Sequence, residues 1–139
     1  MALLEKSLFV RKSDIPNAGK GLFTRTEITR GTRIVEYKGR KVLWRNVKDA
    51  DGHNTYLMRV NRTHAIDALP ALNTLGRYAN DAKGLSKIKG LTNNSLYLQK
   101  GNRVFIEATK NIPAGSEILV GYGKDFWQLQ RRLLQKKKI

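Results

Sequence analysis

The 139-residue chain contains no cysteine and only two histidines, His53 and His64. The first absence excludes a disulfide framework and any cysteine-ligated zinc, and two unaccompanied histidines do not make a metal site, so no structural metal is expected. Acidic residues are scarce as well: 27 Lys and Arg stand against 11 Asp and Glu, a formal net charge of +16. A field of that sign attracts phosphate, nucleic acid or acidic protein surfaces, which names a class of partner and no chemistry. The excess runs from end to end with a local maximum in the tail "RRLLQKKKI", which reads equally as a solubilising helix end and as a binding element. No apolar run approaches the length of a membrane span, so no membrane contact is expected. The stretch "ALLEKSLFV" after Met1 lacks a basic start, carries Glu5 and turns charged again at "RKSD", unlike a secretory signal. Lack of both cysteine and export signal fits an intracellular, reducing compartment, although cysteine-free proteins are also secreted. The expected location is cytoplasmic, with a nucleoid-associated or nuclear one open.

What is present reads as one β-rich domain over residues 1–139, a size that can bury a core without metals or disulfides. Short apolar and β-branched runs, "SLFV", "GLFT", "TRIVEY", "KVLW", "NTYLMRV", "HAID", "NSLYLQK", "RVFIEAT" and "EILVGY", are parted by Gly, Pro, Asn and Asp clusters. The first credible helix is "KDFWQLQRRLLQKKK", with Phe126, Leu129 and Leu133 on one face and basic residues in its last turn; residues 124–139 form a basic C-terminal helix and tail. A shorter helical stretch is allowed around "ALNTLGRYAND", with Pro70 near its start and Gly76 interrupting it. Two segments, "EITRGTRIVEYKG" and "NIPAGSEILVGYG", echo each other, which suggests a turn feeding a strand, used twice. Between Ala79 and Asn94, "ANDAKGLSKIKGLTNN" reads as a long loop, and loops of that length in a compact domain are often functional.

Three motifs are ordinary when taken singly. The Gly-x-Gly of "NAGKGLFT" is more often a hairpin turn than a ligand loop. Asn and Asp in "RYAND" suit a cap or turn, and the aromatics of "VGYGKDFW" suit a core. In their order, "AGKGLFT", "EYKG", "YLMRV", "AID", "GRYAND", "NNSLY", "GSEILVGYG" and "FW", they resemble the SET domain family of protein lysine methyltransferases over nearly the whole chain. The resemblance implies a mainly β, SET-type β-clip fold: several small curved sheets, a knot-like crossing near the C-terminus and a C-terminal helix. It also implies S-adenosylmethionine as cofactor and a lysine of a protein as substrate.

Carried over motif by motif, the resemblance places the cofactor at Gly19, Lys20 and Gly21 through backbone groups, with Asn80 at its amino acid portion and Arg77 close by. Tyr122 stands at the family's catalytic tyrosine, and Trp127 or Phe126 where an aromatic packs on the adenine. Tyr37, Tyr56 and Tyr97 match the tyrosines of the substrate lysine channel, Tyr97 and Tyr37 joining Tyr122 as the catalytic set. Val120, two residues before Tyr122, stands where the number of methyl groups added is influenced, and the hydroxyl of Tyr97 leans the expectation toward monomethylation. Substrate entry resembles strand addition at an exposed sheet edge.

Such a residue set suits the chemistry. Methyl transfer from a sulfonium to an amine is an in-line displacement in which alignment can supply about 7–11 kcal/mol of the barrier, and no metal is required. The amine must be neutral, whereas a free lysine has a pKa of about 10.4. Tyrosines desolvate the ammonium and orient the lone pair; a carboxylate would hold the charge.

The family's Asn-His-Ser triplet is Asn80-Asp81-Ala82 here, its common acidic residue after "EYxG" is Arg40, and these residues hold no cysteine for its zinc-bound extension, so closure is expected from the helix beginning at Lys124. The expected partner is a basic protein, such as a histone, histone-like or ribosomal protein, with nucleic acid contact through the basic surface and a monomer or homodimer as the oligomeric state. The alternatives are a catalytically silent SET-like module that binds protein or nucleic acid, and a small nucleic-acid-binding β-barrel.

Overall fold

A computed structural model describes residues 3–51, 53–84 and 89–137, with the side chains of Lys124, Asp125, Trp127 and 134–137 outside that description. Among the described residues the strands form three small antiparallel sheets. β1 (Leu8–Lys12) pairs with β2 (Lys20–Thr24), joined by a turn in which Asn17 and Gly19 take φ of 65° and 70°. The second sheet has the order β3-β8-β7, with β3 at Arg33–Glu36, β7 at Ser95–Lys100 and β8 at Arg103–Ala108. Its β7–β8 hairpin closes on Gly101-Asn102, where Gly101 supplies the positive φ of 60° that a two-residue turn needs. The third sheet has the order β4-β6-β5, with β4 at Arg40–Leu43, β5 at Leu57–Arg59 and β6 at His64–Asp67. The short helix α1, Trp44–Val47, follows β4, and α2 spans Lys124–Lys137. No described helix is long and apolar enough to cross a membrane.

Eight of the nine apolar runs contain strands, and "EILVGY" behaves differently. It makes isolated bridges, Phe23 to Glu117, Asn80 to Leu119 and Ser95 to Val120, instead of a regular strand. The reason lies in its position. Leu119 turns its N–H and C=O toward the Asn94–Ser95 segment, accepting from Asn94 N at 2.9 Å, whereas Val120 N donates to Asn80 O at 2.8 Å on the opposite edge. The 117–122 stretch is thus threaded between the outgoing and returning ends of the 79–94 loop, the knot-like crossing expected of the fold. Asparagine side chains secure it: Asn94 Nδ2 donates to Glu117 O at 2.9 Å and Asn94 Oδ1 accepts from Leu119 N at 2.9 Å. Buried amide and carbonyl groups that no regular sheet can satisfy are paired in this way.

Beneath the crossing lies the main core, built around Leu22, Ile28, Ile34, Ile106, Ile112, Ile118 and Val120, each at most 1% exposed. Burying a side chain of this kind contributes about 1.5–3 kcal/mol. Ile28 and Ile112, the second residues of the two echoing segments, exchange backbone hydrogen bonds of 2.9 and 2.8 Å. Ile34 and Ile118, three positions beyond Gly31 and Gly115, are both wholly buried, and those glycines share φ of 86° and 85°. The repeat is a paired structural unit whose two exits deliver Tyr37 and Tyr122.

The helical stretch allowed around "ALNTLGRYAND" is shorter in the structure, a single 3-10 turn at Gly76–Tyr78. Gly76 sits there because a Cβ would lie 2.7 Å from Glu36 O. The described residues of the 79–94 segment form no helix or regular strand, in accord with a long loop.

Candidate active site

A cavity of about 600 Å³ is bounded by the β1–β2 turn, the segment from Thr55 to Arg59, the 3-10 turn and α2. Tyrosines dominate its wall. Tyr37 emerges from β3, Tyr56 precedes β5, Tyr97 stands on β7 and Tyr122 leaves the crossing; the Tyr37 and Tyr97 rings meet edge to face at 6.0 Å, and Tyr97 stacks on Tyr122 at 6.3 Å. Phe126, in the first turn of α2, meets Tyr122 edge to face at 5.0 Å, and Gln130 one turn later also faces the cavity. The helix from Lys124 therefore does contribute to closing the site. Trp127's side chain lies outside the described residues.

Two phenols have their hydrogens committed. Tyr37 Oη donates to Tyr56 O at 2.7 Å, and Tyr122 Oη donates to Ala79 O. A phenol oxygen that donates its hydrogen can also accept one. Burial, with neighbouring phenols and Asp81 adding to it, pushes the pKa values of Tyr122 and Tyr97 well above the ordinary tyrosine value; burial also dominates at Tyr37, against an opposing effect of Arg77. The site thus offers neutral acceptors at neutral pH.

Asn80 also lines the cavity. Its Nδ2 donates both hydrogens, to Lys20 O at 3.0 Å and to Glu117 Oε2 at 3.2 Å, so the Oδ1 is the group the side chain has left to present. Glu117 is 4% exposed and also accepts from Ser13 Oγ at 2.7 Å and Asp14 N at 3.0 Å. Asp81, at the position where the resemblance has histidine, accepts from Tyr122 N at 2.9 Å, Asn93 Nδ2 at 2.8 Å and Lys83 N at 2.8 Å. It fastens the tyrosine's backbone to the long loop. Arg77 is buried, donates to Ala68 O and Leu69 O at 3.2 and 2.9 Å, and lies 4.0 Å over the Tyr56 ring.

Gly19, Lys20, Tyr37, Tyr56, Arg77, Asn80, Tyr97, Tyr122 and Phe126 thus share one cavity. Two expected members do not reach its wall. Gly21 is buried behind it, and the requirement for glycine comes from the protein itself: a Cβ there would lie 2.3 Å from Glu117 Oε2. Val120 is wholly buried in the main core, with Tyr97 and Tyr122 packed against that cluster, so any influence on the channel passes through those rings. Arg40 is exposed at the start of β4, paired with Asp67, and does not line the cavity. Sequence reasoning missed Glu117, Asp81, Asn93, Arg59 and Gln130. Gln130, four residues after Phe126, was findable from helical spacing; Arg59 depends on where the edge of the third sheet lies, and the others on contacts at the crossing.

A threaded β fold whose crossing delivers a tyrosine to an aromatic cavity defines a narrow class of protein. The model of the SET domain matches residues 19–123, and the chain belongs to that family. It is 26% identical, over 94% of its length, to the histone-lysine N-methyltransferase EZH2 of Chaetomium thermophilum, of which it spans 9%. Among solved structures it resembles a humanized mutant of the Chaetomium thermophilum Polycomb Repressive Complex 2 bound to the inhibitor GSK126, with a TM-score of 0.71 and 24% identity over 94% of this chain and 16% of the other. A second, ctPRC2 in an autoinhibited conformation bound to S-adenosylmethionine, has a TM-score of 0.68 and 22% identity over 99% of this chain and 17% of the other. Those two likenesses concern the fold.

Proposed function

We propose that the protein is an S-adenosylmethionine-dependent protein lysine N-methyltransferase. The observation that carries this is the pair of phenols, Tyr37 and Tyr122, each held by a hydrogen bond from its hydroxyl to a backbone carbonyl, in an aromatic cavity that Asn80 also lines. The residues present fit the cofactor: Asn80 Oδ1 is suited to an ammonium group, and Gly19, with nothing within 4 Å of where a Cβ would be, offers open backbone. When bound, the cofactor supplies an electrophilic methyl group on a sulfonium. Phe126 offers an aromatic edge to a purine, while Asn80 and the backbone about Lys20 would hold the amino acid portion.

The chain's own residues act on the amine. The aromatic walls of Tyr37, Tyr56 and Tyr97 exclude water and disfavour the ammonium form. Phenol oxygens accept the amine's N–H bonds and so aim its lone pair. A neutral phenol at these positions does not stabilise an ammonium as a carboxylate would. The substrate we favour is a lysine of a basic, nucleic-acid-associated protein such as a histone, histone-like or ribosomal protein, a reading supported by the net charge of +16. Nucleic acid on such a substrate would offset the repulsion between two basic proteins.

Calorimetry with S-adenosylmethionine, followed by transfer of a labelled methyl group to protein in cell extract, tests the reading. Binding with transfer to lysine supports it. Binding without transfer would assign the protein as a silent module, and no binding would remove the cofactor reading.

A further inference from the structure

We infer that the lysine this site accepts is flanked by acidic residues, presented on an extended segment that lies along the outer edge of β5 with a carboxylate against Arg59. The inference rests on the proposed activity and narrows its substrate class. Lys20, Arg59 and Arg77 line the cavity, and none of its described lining residues is Asp or Glu. The acidic residues near it are turned inward and occupied: Asp67, Asp81 and Glu117 are 8%, 5% and 4% exposed and accept from Asn54, Asn93 and Ser13. Glu36 is held by two hydrogen bonds from Arg103, at 3.1 and 2.7 Å. Among the described residues, the charged members of the wall are therefore all cationic.

β5 is the edge strand of its sheet, and among the described residues no strand pairs with its outer side. An edge of this kind presents backbone N–H and C=O groups to an added strand. Leu57, Met58 and Arg59 all border the cavity, so a segment paired there has its side chains beside the tyrosines at one point and beside Arg59 at another. The exposed Arg59 guanidinium rests over the β5–β6 turn, where Nε donates to Asn61 O at 3.0 Å, Nη2 donates to Arg62 O at 2.8 Å and the Trp44 ring lies 4.5 Å away; a rotation of its long side chain brings it to a ligand on the outer edge. The rest of its donor fork can meet a carboxylate. At a rise of about 3.3 Å per residue, that carboxylate belongs about two or three positions from the lysine.

Charge decides between flanks. A Lys or Arg beside the target would face Arg59, with the buried cation of Arg77 in the same wall; an Asp or Glu there is attracted. The local charge of the segment is separate from that of the whole substrate, so a basic protein can carry the preferred site.

The test uses the full chain and extended peptides with one lysine in a neutral host, flanked by Glu, Gln or Arg two and three positions to either side. We expect kcat/KM in the order Glu, Gln, Arg, each added carboxylate giving about two- to fivefold at low salt, the range of an exposed ion pair, and the preference falling as salt rises. Arg59→Glu should reverse the order, Arg59→Gln should flatten it, and Arg59→Lys should retain it. Transfer with an Arg-flanked preference, or one unchanged in Arg59→Glu, overturns the inference while leaving the methyltransferase reading intact. Activity on Arg-flanked peptides that appears only with duplex DNA would assign the basic wall to nucleic acid and also overturn it. Cofactor binding without transfer to any peptide, with transfer to protein in extract favouring lysines among basic residues, overturns it as well; absence of both binding and transfer removes the activity on which it rests.

Discussion

Tyr122 combines two fastenings: its backbone N–H donates to Asp81 Oδ2 at 2.9 Å, and its hydroxyl donates to Ala79 O. Removing the hydroxyl alone leaves the ring stacked on Tyr97 and against Phe126. Tyr122→Phe should therefore keep the fold and S-adenosylmethionine binding but lower kcat by about 10²–10³-fold, the usual consequence of losing one preorganised polar contact at a reacting centre. Single-turnover methyl transfer beside calorimetry checks this; an undiminished rate would remove Tyr122 from the reacting set. Glu117 acts one step further back. A carboxylate accepts from Ser13, Asp14 N and Asn80 at once, and the Glu117→Gln amide has to present a donor to one of them. Glu117→Ala, which removes the acceptor of Asn80 Nδ2 whichever way an amide would turn, should weaken cofactor binding and raise the KM for cofactor several times more than it lowers kcat at saturation, because the orientation of Asn80 is what it disturbs.

The β1–β2 turn and the crossing show why two neighbouring glycines are required for different reasons. At Gly19 the requirement is conformational, φ of 70° with open space around a Cβ; at Gly21 it is steric, the Glu117 carboxylate lying 2.3 Å from where a Cβ would sit. Gly19→Ala should cost about 1 kcal/mol, from left-handed backbone strain. Gly21→Ala should cost about 1–3 kcal/mol through overpacking, and should be partly rescued in a Gly21→Ala/Glu117→Ala double variant, since the clash is with that side chain. Chemical denaturation of the four proteins tests both; equal effects without rescue would refute the steric account. At this scale "AGKG" could be recognised as a turn from its residues, but the partner of its second glycine lies 96 positions away in the chain.

For the whole molecule, the phenols of Tyr37, buried, and of Tyr97 and Tyr122, partly buried, have pKa values raised by desolvation. The folded state retains these protons while the unfolded chain loses them above pH of about 10. The unfolded state then binds fewer protons, so the contribution is present in full below that pH and is lost as pH rises through the raised values. Stability should fall above about pH 10, and less steeply in Tyr122→Phe, as thermal unfolding across an alkaline series would read. The same protonated phenols predict a transfer rate that rises with pH as the substrate amine loses its proton, with no descending limb from tyrosine ionisation below about pH 10. A descending limb near neutral pH would mean that another group, or an ionised phenol, takes part.

Local pattern determined much of this protein. Eight apolar runs carried enough β-branched and aromatic character to become strands, "KDFWQLQRRLLQKKK" carried a helical stripe, and the ordered motifs marked Tyr122, Asn80, Gly19 and the channel tyrosines. The strands and the helix were legible because each depends on residues within a few positions of one another, and the site residues because short motifs, in their order along the chain, resemble those of the family. Tertiary structure alone decided that the last apolar run would become a threaded segment, since its hydrogen bonds go to Asn80, Asp81, Asn94 and Ser95 from two ends of a loop. It also drew Glu117 beneath Gly21, withdrew Val120 into the core, and left a cavity wall whose described charges are all positive. Burial and long-range pairing of polar groups set those outcomes, and neither is a property of any short stretch of chain.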